Sequence, residues 1–240
     1  MSDFDINEND TIDGGTTEEG NSNFFIGDYV DILDQAPPCF TPGTLIKTPE
    51  GERAVEDLCV GDMVQTANNG PQPIRWIGRR DLSALELRLF PKFRPVRVIA
   101  GALGAGLPKR DLLVSRQHRL LVRSKIVSRM FDAAQVLVPA IRLTDLPGIK
   151  IDNTQKKITY IHLLLEQHEV IFAEGAPTES LYPGPETLKT QSPEGREEIL
   201  ALFPELIEGF LDSAALIPAN GKQRELIRRH AKNNKSVLED

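Results

Sequence analysis

The sequence predicts an all-β fold with a few short helices, and three observations carry that prediction. Apolar residues fall in short β-prone runs rather than long stripes, turn-forming residues separate the runs, and helical periodicity is confined to a few places. Thr44 to Thr48 is followed by the turn group Pro49-Glu50-Gly51, and Met63 to Thr66 leads into Asn68-Asn69-Gly70, a hairpin signal. Pro73 to Ile77, Leu85 to Leu89 and Val96 to Ile99 continue the series. Asp111 to Val122 (DLLVSRQHRLLV) holds two apolar triplets around a polar centre. Ile158 to Leu165 and Glu169 to Ala173 read as a hairpin around Glu166-Gln167. In the first of these, Ile158, Tyr160, His162 and Leu164 share one face by the period of two. Helices are expected at Phe131 to Leu137, at Glu194 to Glu208 with a break at Pro204, and at Gln223 to Lys232.

Charge divides the chain. Residues 1–36 hold ten of the 35 acidic residues and no Lys or Arg; the rest carries 28 basic residues against the remaining 25 acidic ones. Such a leader reads as disordered and as no binder of nucleic acid, whose phosphates would repel it. The organisation predicted is an acidic flexible leader at 1–36, a β domain at 37–184 and a helical C-terminal extension at 185–240. No run approaches the roughly 18 apolar residues that span a bilayer. The start MSDFDINENDTIDGG has neither basic segment nor apolar run, so the cytoplasm is the default expectation, with export that needs no N-terminal signal left open. Two cysteines and four scattered histidines predict neither a disulfide framework nor a bound metal or cofactor, and the chain is expected to be a monomer without a membrane partner.

The chemistry is expected at the boundary Pro37-Pro38-Cys39. A cysteine whose own nitrogen lies in the peptide bond it attacks can close a five-membered ring onto the preceding carbonyl and exchange the amide for a thioester. That exchange needs an activated thiol, a proton for the departing nitrogen and a polarised amide. In Ser115-Arg116-Gln117-His118, His118 can pass protons near neutrality and the Ser115 hydroxyl can hold the amide. His168, after the last long strand, is a candidate to resolve the thioester or activate the thiol. Cys59 and His162 read as packing residues, and His230 as exposed helix surface.

These blocks carry a resemblance. CFTPGTLIKTPEGERAVEDLCVGDMV resembles the opening block of the Hint superfamily, shared by inteins and Hedgehog C-terminal domains. SRQH resembles its Thr-x-x-His block, with Ser115 in the threonine position, and YIHLLLEQHEVIFAEGAPTES resembles the closing hairpin of the Hedgehog-like branch and of bacterial Hint domains. The resemblance implies a horseshoe-like β fold of two related halves with Cys39 in the central cleft. It also implies autoprocessing in a single turnover, the chain's own N-terminal segment being the substrate and water or a small nucleophile the acyl acceptor. Splicing members end in His-Asn followed by Cys, Ser or Thr; here the block runs into Glu179-Ser180-Leu181-Tyr182-Pro183-Gly184, which implies N-terminal cleavage instead. The ring of Pro38 is expected to crowd the attacked carbonyl. Two other functions fit the same residues: a non-catalytic Hint-fold scaffold that binds a partner, and a cysteine hydrolase acting on other molecules.

Overall fold

Phe40, the residue after the candidate nucleophile, is where two of the sheets of this protein meet. In the computed structural model, which describes residues 37–182, 193–203 and 212–239, it bridges antiparallel to Val114 on one side and to Ile161 on the other. Around it run β1 (Leu45–Thr48), β2 (Gly51–Ala54), β3 (Met63–Gln65), β4 (Pro71–Leu82), β5 (Val96–Val98) and β6 (Leu112–Val114). They are followed by β7 (Arg119–Val122), β8 (Val136–Pro139), β9 (Ile149–Ile151), β10 (Ile158–Leu165), β11 (Val170–Ala173) and β12 (Ala176–Glu179). The helices are α1 (Ala84–Leu89), α2 (Lys125–Phe131), α3 (Pro193–Leu202) and α4 (Asn220–Asn233). One six-stranded sheet has the order β2-β1-β11-β12-β7-β8; two three-stranded sheets have the orders β10-β4-β3 and β6-β5-β9. The strands are short and mostly antiparallel, and the principal core gathers Val and Ile side chains from all three sheets. The all-β class is therefore what the chain adopts.

Several elements differ from the expectation, each for a local reason. Leu85 to Leu89 is helical, because Ser83 and Glu86 form a reciprocal capping box that starts α1. The helix expected at Phe131 to Leu137 lies earlier: Ser124 caps α2, which ends at Asp132 in the left-handed region, and Val136 to Pro139 pairs with β7. The closing hairpin is no pair at all, since β10 pairs with β4 whereas β11 pairs with β1 and β12. The turn at Glu166-Gln167 thus hands the chain from one sheet to another. Cys59 is exposed rather than packed. Helix α3 ends at Leu202; residues 204–208 of that predicted helix and the leader at 1–36 lie outside the described residues.

The C-terminal extension closes over the six-stranded sheet. Ala214, Ala215 and Ile217 pack on Leu121, Leu137 and Val170, and the Leu137 amide donates to the Leu216 carbonyl. His230 is buried rather than exposed: its Nε2 lies 3.1 Å from the Ser124 hydroxyl, which fastens α4 to the cap of α2. Among the described residues no helix is long and apolar enough to cross a membrane.

Candidate active site

Antiparallel register assembles the site. Because Phe40 pairs with Val114 and with Ile161, the preceding Cys39 lies between Ser115 on one flank and His162 on the other. The Phe40 and Ile161 amides and carbonyls exchange two 2.9 Å bonds, and the Ser115 amide donates to the Cys39 carbonyl at 3.0 Å. Gly78 of β4 faces His162 across the ladder. A Cβ at that position would stand 2.2 Å from the Trp76 ring and 3.1 Å from His162 Cδ2, so only glycine leaves space for both rings.

The junction itself is buried and saturated with bonds. The Cys39 amide donates to Ser115 Oγ at 3.1 Å, and that hydroxyl donates to the Pro37 carbonyl at 2.7 Å. The Cys39 thiol is 2.9 Å from the same carbonyl and 3.7 Å from His162 Nε2. His162 Nδ1 lies 2.8 Å from the Pro38 carbonyl oxygen, the acceptor of the bond that Cys39 would attack. A carbonyl only accepts, so Nδ1 carries the proton and Nε2 offers its lone pair to the thiol. One imidazole thus lies between the thiol and the Pro38 carbonyl. Two consecutive prolines suit this burial: neither has an N–H to orphan, and both of their carbonyls are bonded.

Electrostatics keeps the site neutral at rest. Burial pushes the Cys39 thiol far above its ordinary range, with the Ser115 hydrogen bond and Arg80 opposing. Burial likewise lowers His162 to about 4, against the pull of its bond to the Pro38 carbonyl. His118 is lowered to about 4, first by burial and then by His162 and Arg119, with Glu179 acting the other way. The thiol is closed in by Leu82, Leu87, Phe93, Ile158 and Tyr160. Leu82 and Ile158 also form a wall of an open cleft of about 1140 Å³ that runs past Thr41 and Gly43.

Ser115 lies beside Cys39, accepting from its amide. His118 is fully buried beside Phe40, with ring centroids 4.5 Å apart; its polar neighbour is the Cys39 backbone, and neither ring nitrogen has a side-chain hydrogen bond among the described residues. His168 is placed elsewhere: Ala214 donates to its Nδ1 at 3.1 Å, its Nε2 is 3.2 Å from Glu179 Oε2, and its ring lies against Tyr182. The residue that sequence reasoning passed over is His162. Its face, shared with Ile158 and Tyr160, was legible; that Cys39 lies on that face depends on register, which no local pattern encodes. Among the described residues no group of three or more His, Cys, Asp or Glu is placed to hold a metal ion.

A family model for the Hint domain matches residues 38–185, opening one residue before Cys39. The chain belongs to the Hint-domain family. Warthog protein 1 of Caenorhabditis elegans is 43% identical over 44 residues, 18% of this chain and 9% of that protein, so the match spans a small part of its relative's length. The bacterial intein-like domain of Clostridium thermocellum superimposes with a TM-score of 0.41 at 13% identity, covering 58% of this Hint protein and 96% of that chain. The gp41-1 intein does so with a TM-score of 0.36 at 12% identity, covering 60% and 98%. Autoprocessing is the kind of activity the family supports for this Hint domain.

Proposed function

We propose that this Hint domain cleaves its own chain between Pro38 and Cys39 by an N-to-S acyl shift. The observation that carries the reading is His162, with Nδ1 on the Pro38 carbonyl at 2.8 Å and Nε2 facing the thiol at 3.7 Å. His162 Nε2 takes the thiol proton as sulfur attacks the Pro38 carbonyl carbon. The Nδ1 proton holds the oxygen as negative charge develops there, and does so more strongly once the ring is an imidazolium. Ser115 holds the Cys39 nitrogen through the 3.1 Å bond, and His118 gives that nitrogen its proton as the C–N bond breaks. Water or a small nucleophile then releases residues 1–38 from the thioester, reaching it from the cleft past Leu82 and Ile158.

The test is an intact mass spectrum of the purified chain with and without hydroxylamine. Loss of residues 1–38, accelerated by hydroxylamine and absent in Cys39→Ala, supports the proposal. Equal persistence of both full-length chains under nucleophile sinks it. One observation favours the second reading, a non-catalytic scaffold: Cys39 is only 1% exposed, so an acceptor reaches it only if the surrounding side chains part. Recovery of the intact chain after prolonged thiol treatment, with Cys39→Ser indistinguishable, would establish that reading.

A further inference from the structure

Glu179 is the last residue of β12 and a fully buried carboxylate that self-cleavage as described above leaves without a task. Its Oε1 accepts from the Arg119 amide at 2.7 Å and its Oε2 from the Arg119 guanidinium at 2.8 Å. The first of these bonds is made to the peptide link between His118 and Arg119, so the carboxylate is fastened to the backbone that carries His118. Register enforces the placement, since Thr178 pairs with Leu120 and sets Glu179 opposite Arg119. Burial pushes the carboxyl up, but Arg119, His168 and His118 outweigh it and hold the group below its usual range, so it is charged. Meanwhile His118 is sealed from water, with the Cys39 backbone as a polar neighbour and no side-chain hydrogen bond at either ring nitrogen among the described residues. The charged and titratable groups that face it are Glu179, His162 and Arg119, of which Glu179 alone is negative.

We propose that Glu179 is a positioning residue for self-cleavage: fastened to the His118–Arg119 backbone, its buried carboxylate supplies the counter-charge that lets His118 carry the proton it gives to the Cys39 nitrogen. The proton balance requires such a group. The thiol proton passes to His162 as the C–S bond forms; the C–N bond breaks, its electron pair goes to the Cys39 nitrogen, and that nitrogen takes a proton from His118. His118, neutral at rest, therefore acts from the small fraction of chains in which it holds a proton and leaves neutral, while His162 does the reverse. A positive ring in this apolar setting needs a negative partner, and Glu179 is the one in place.

This inference rests on the self-cleavage reading, and a non-cleaving background separates the two. In Cys39→Ala, the His118 ring is titrated by NMR with and without Glu179→Gln. The expected result is a midpoint about one pH unit lower in the double variant, matched by about tenfold slower cleavage of Glu179→Gln in the otherwise native chain. Glu179→Asp, which keeps the charge, is expected to recover part of both; should the Gln variant fail to fold, the comparison is made on Asp alone, with a partial fall of the midpoint expected. An unmoved His118 midpoint overturns the inference, as does Glu179→Gln cleaving at the native rate. If the native chain never cleaves, the self-cleavage proposal fails first, while the His118 titration still reports on the pairing.

Discussion

Two buried histidines stand six residues apart in sequence, and the protein uses them in opposite ways. His162 on β10 is wedged between the Cys39 thiol and the Pro38 carbonyl, the two groups that the proposed cleavage would join. His168, just past the next turn, is wedged instead between the Glu179 carboxylate and the backbone amide of Ala214. The difference follows from sheet membership. β10 belongs to the three-stranded sheet that borders the junction, whereas the chain after the turn joins the six-stranded sheet under the C-terminal extension. What a buried histidine can do is set less by its own burial than by what the neighbouring strand presents to it.

The comparison breaks most sharply at His162. His162→Ala removes at once the group that takes the thiol proton and the donor on the attacked carbonyl. Cleavage is expected to fall by about 10³ or more, followed as single-turnover loss of residues 1–38 by mass. Retention of more than a tenth of the native rate would show that another group performs both tasks.

Acid comes next. His118 and His162 titrate at about 4 in the folded chain, against 6.5 when exposed. Between those values the unfolded chain binds protons that the folded one does not, so stability falls as pH is lowered through this window and is fully present above it. The slope is about 1.4 kcal/mol per pH unit for each histidine, about 3 for the pair. Urea midpoints of Cys39→Ala at several pH values measure it, and His118→Phe should remove about 1.4 kcal/mol per pH unit from the slope, to which His230, also lowered by burial, adds. A flat profile across the window would show that both rings are already protonated in the folded protein.

Ser115→Ala has a smaller expected effect. It removes the acceptor of the Cys39 amide and the donor to the Pro37 carbonyl, both buried. Cleavage is expected to slow by about tenfold, and the chain to lose about 1–3 kcal/mol of stability from the orphaned Cys39 amide, the Pro37 carbonyl keeping the thiol as a donor. Threonine at this position keeps the hydroxyl and should cleave near the native rate.

How much of this was legible beforehand depended on whether the signal was local. Cys39, Ser115 and His118 stand in short blocks whose meaning lies in adjacent residues, and the strands of β1, β3, β5 and β10 announced themselves by alternation and turns. Leu85 to Leu89 was misread because its apolar spacing is ambiguous over five residues; the capping box of Ser83 and Glu86 was the signal available and would have decided it. His162 was read as a packing residue on a shared face, and that this face meets Cys39 was not encoded in its own segment. His230, read as exposed, is buried on Ser124, because α4 packs against a helix about a hundred residues earlier. In both cases the missing information was a long-range partner, not a property of the segment.

The gentlest test separates His168 from the chemistry. His168→Ala deprives the Ala214 amide of its acceptor and Glu179 of one neighbour, but Glu179 keeps both bonds from Arg119. The counter-charge beside His118 therefore survives, and cleavage is expected to change by less than about threefold. The strap at Ser213 to Ile217 should loosen instead, at a cost of about 1–3 kcal/mol for the orphaned amide, seen in the urea midpoint and as faster proteolysis near residue 214. A loss of cleavage beyond tenfold without loss of stability would return His168 to the reacting groups. It would also mean that the C-terminal extension, which holds this ring, governs when the junction breaks.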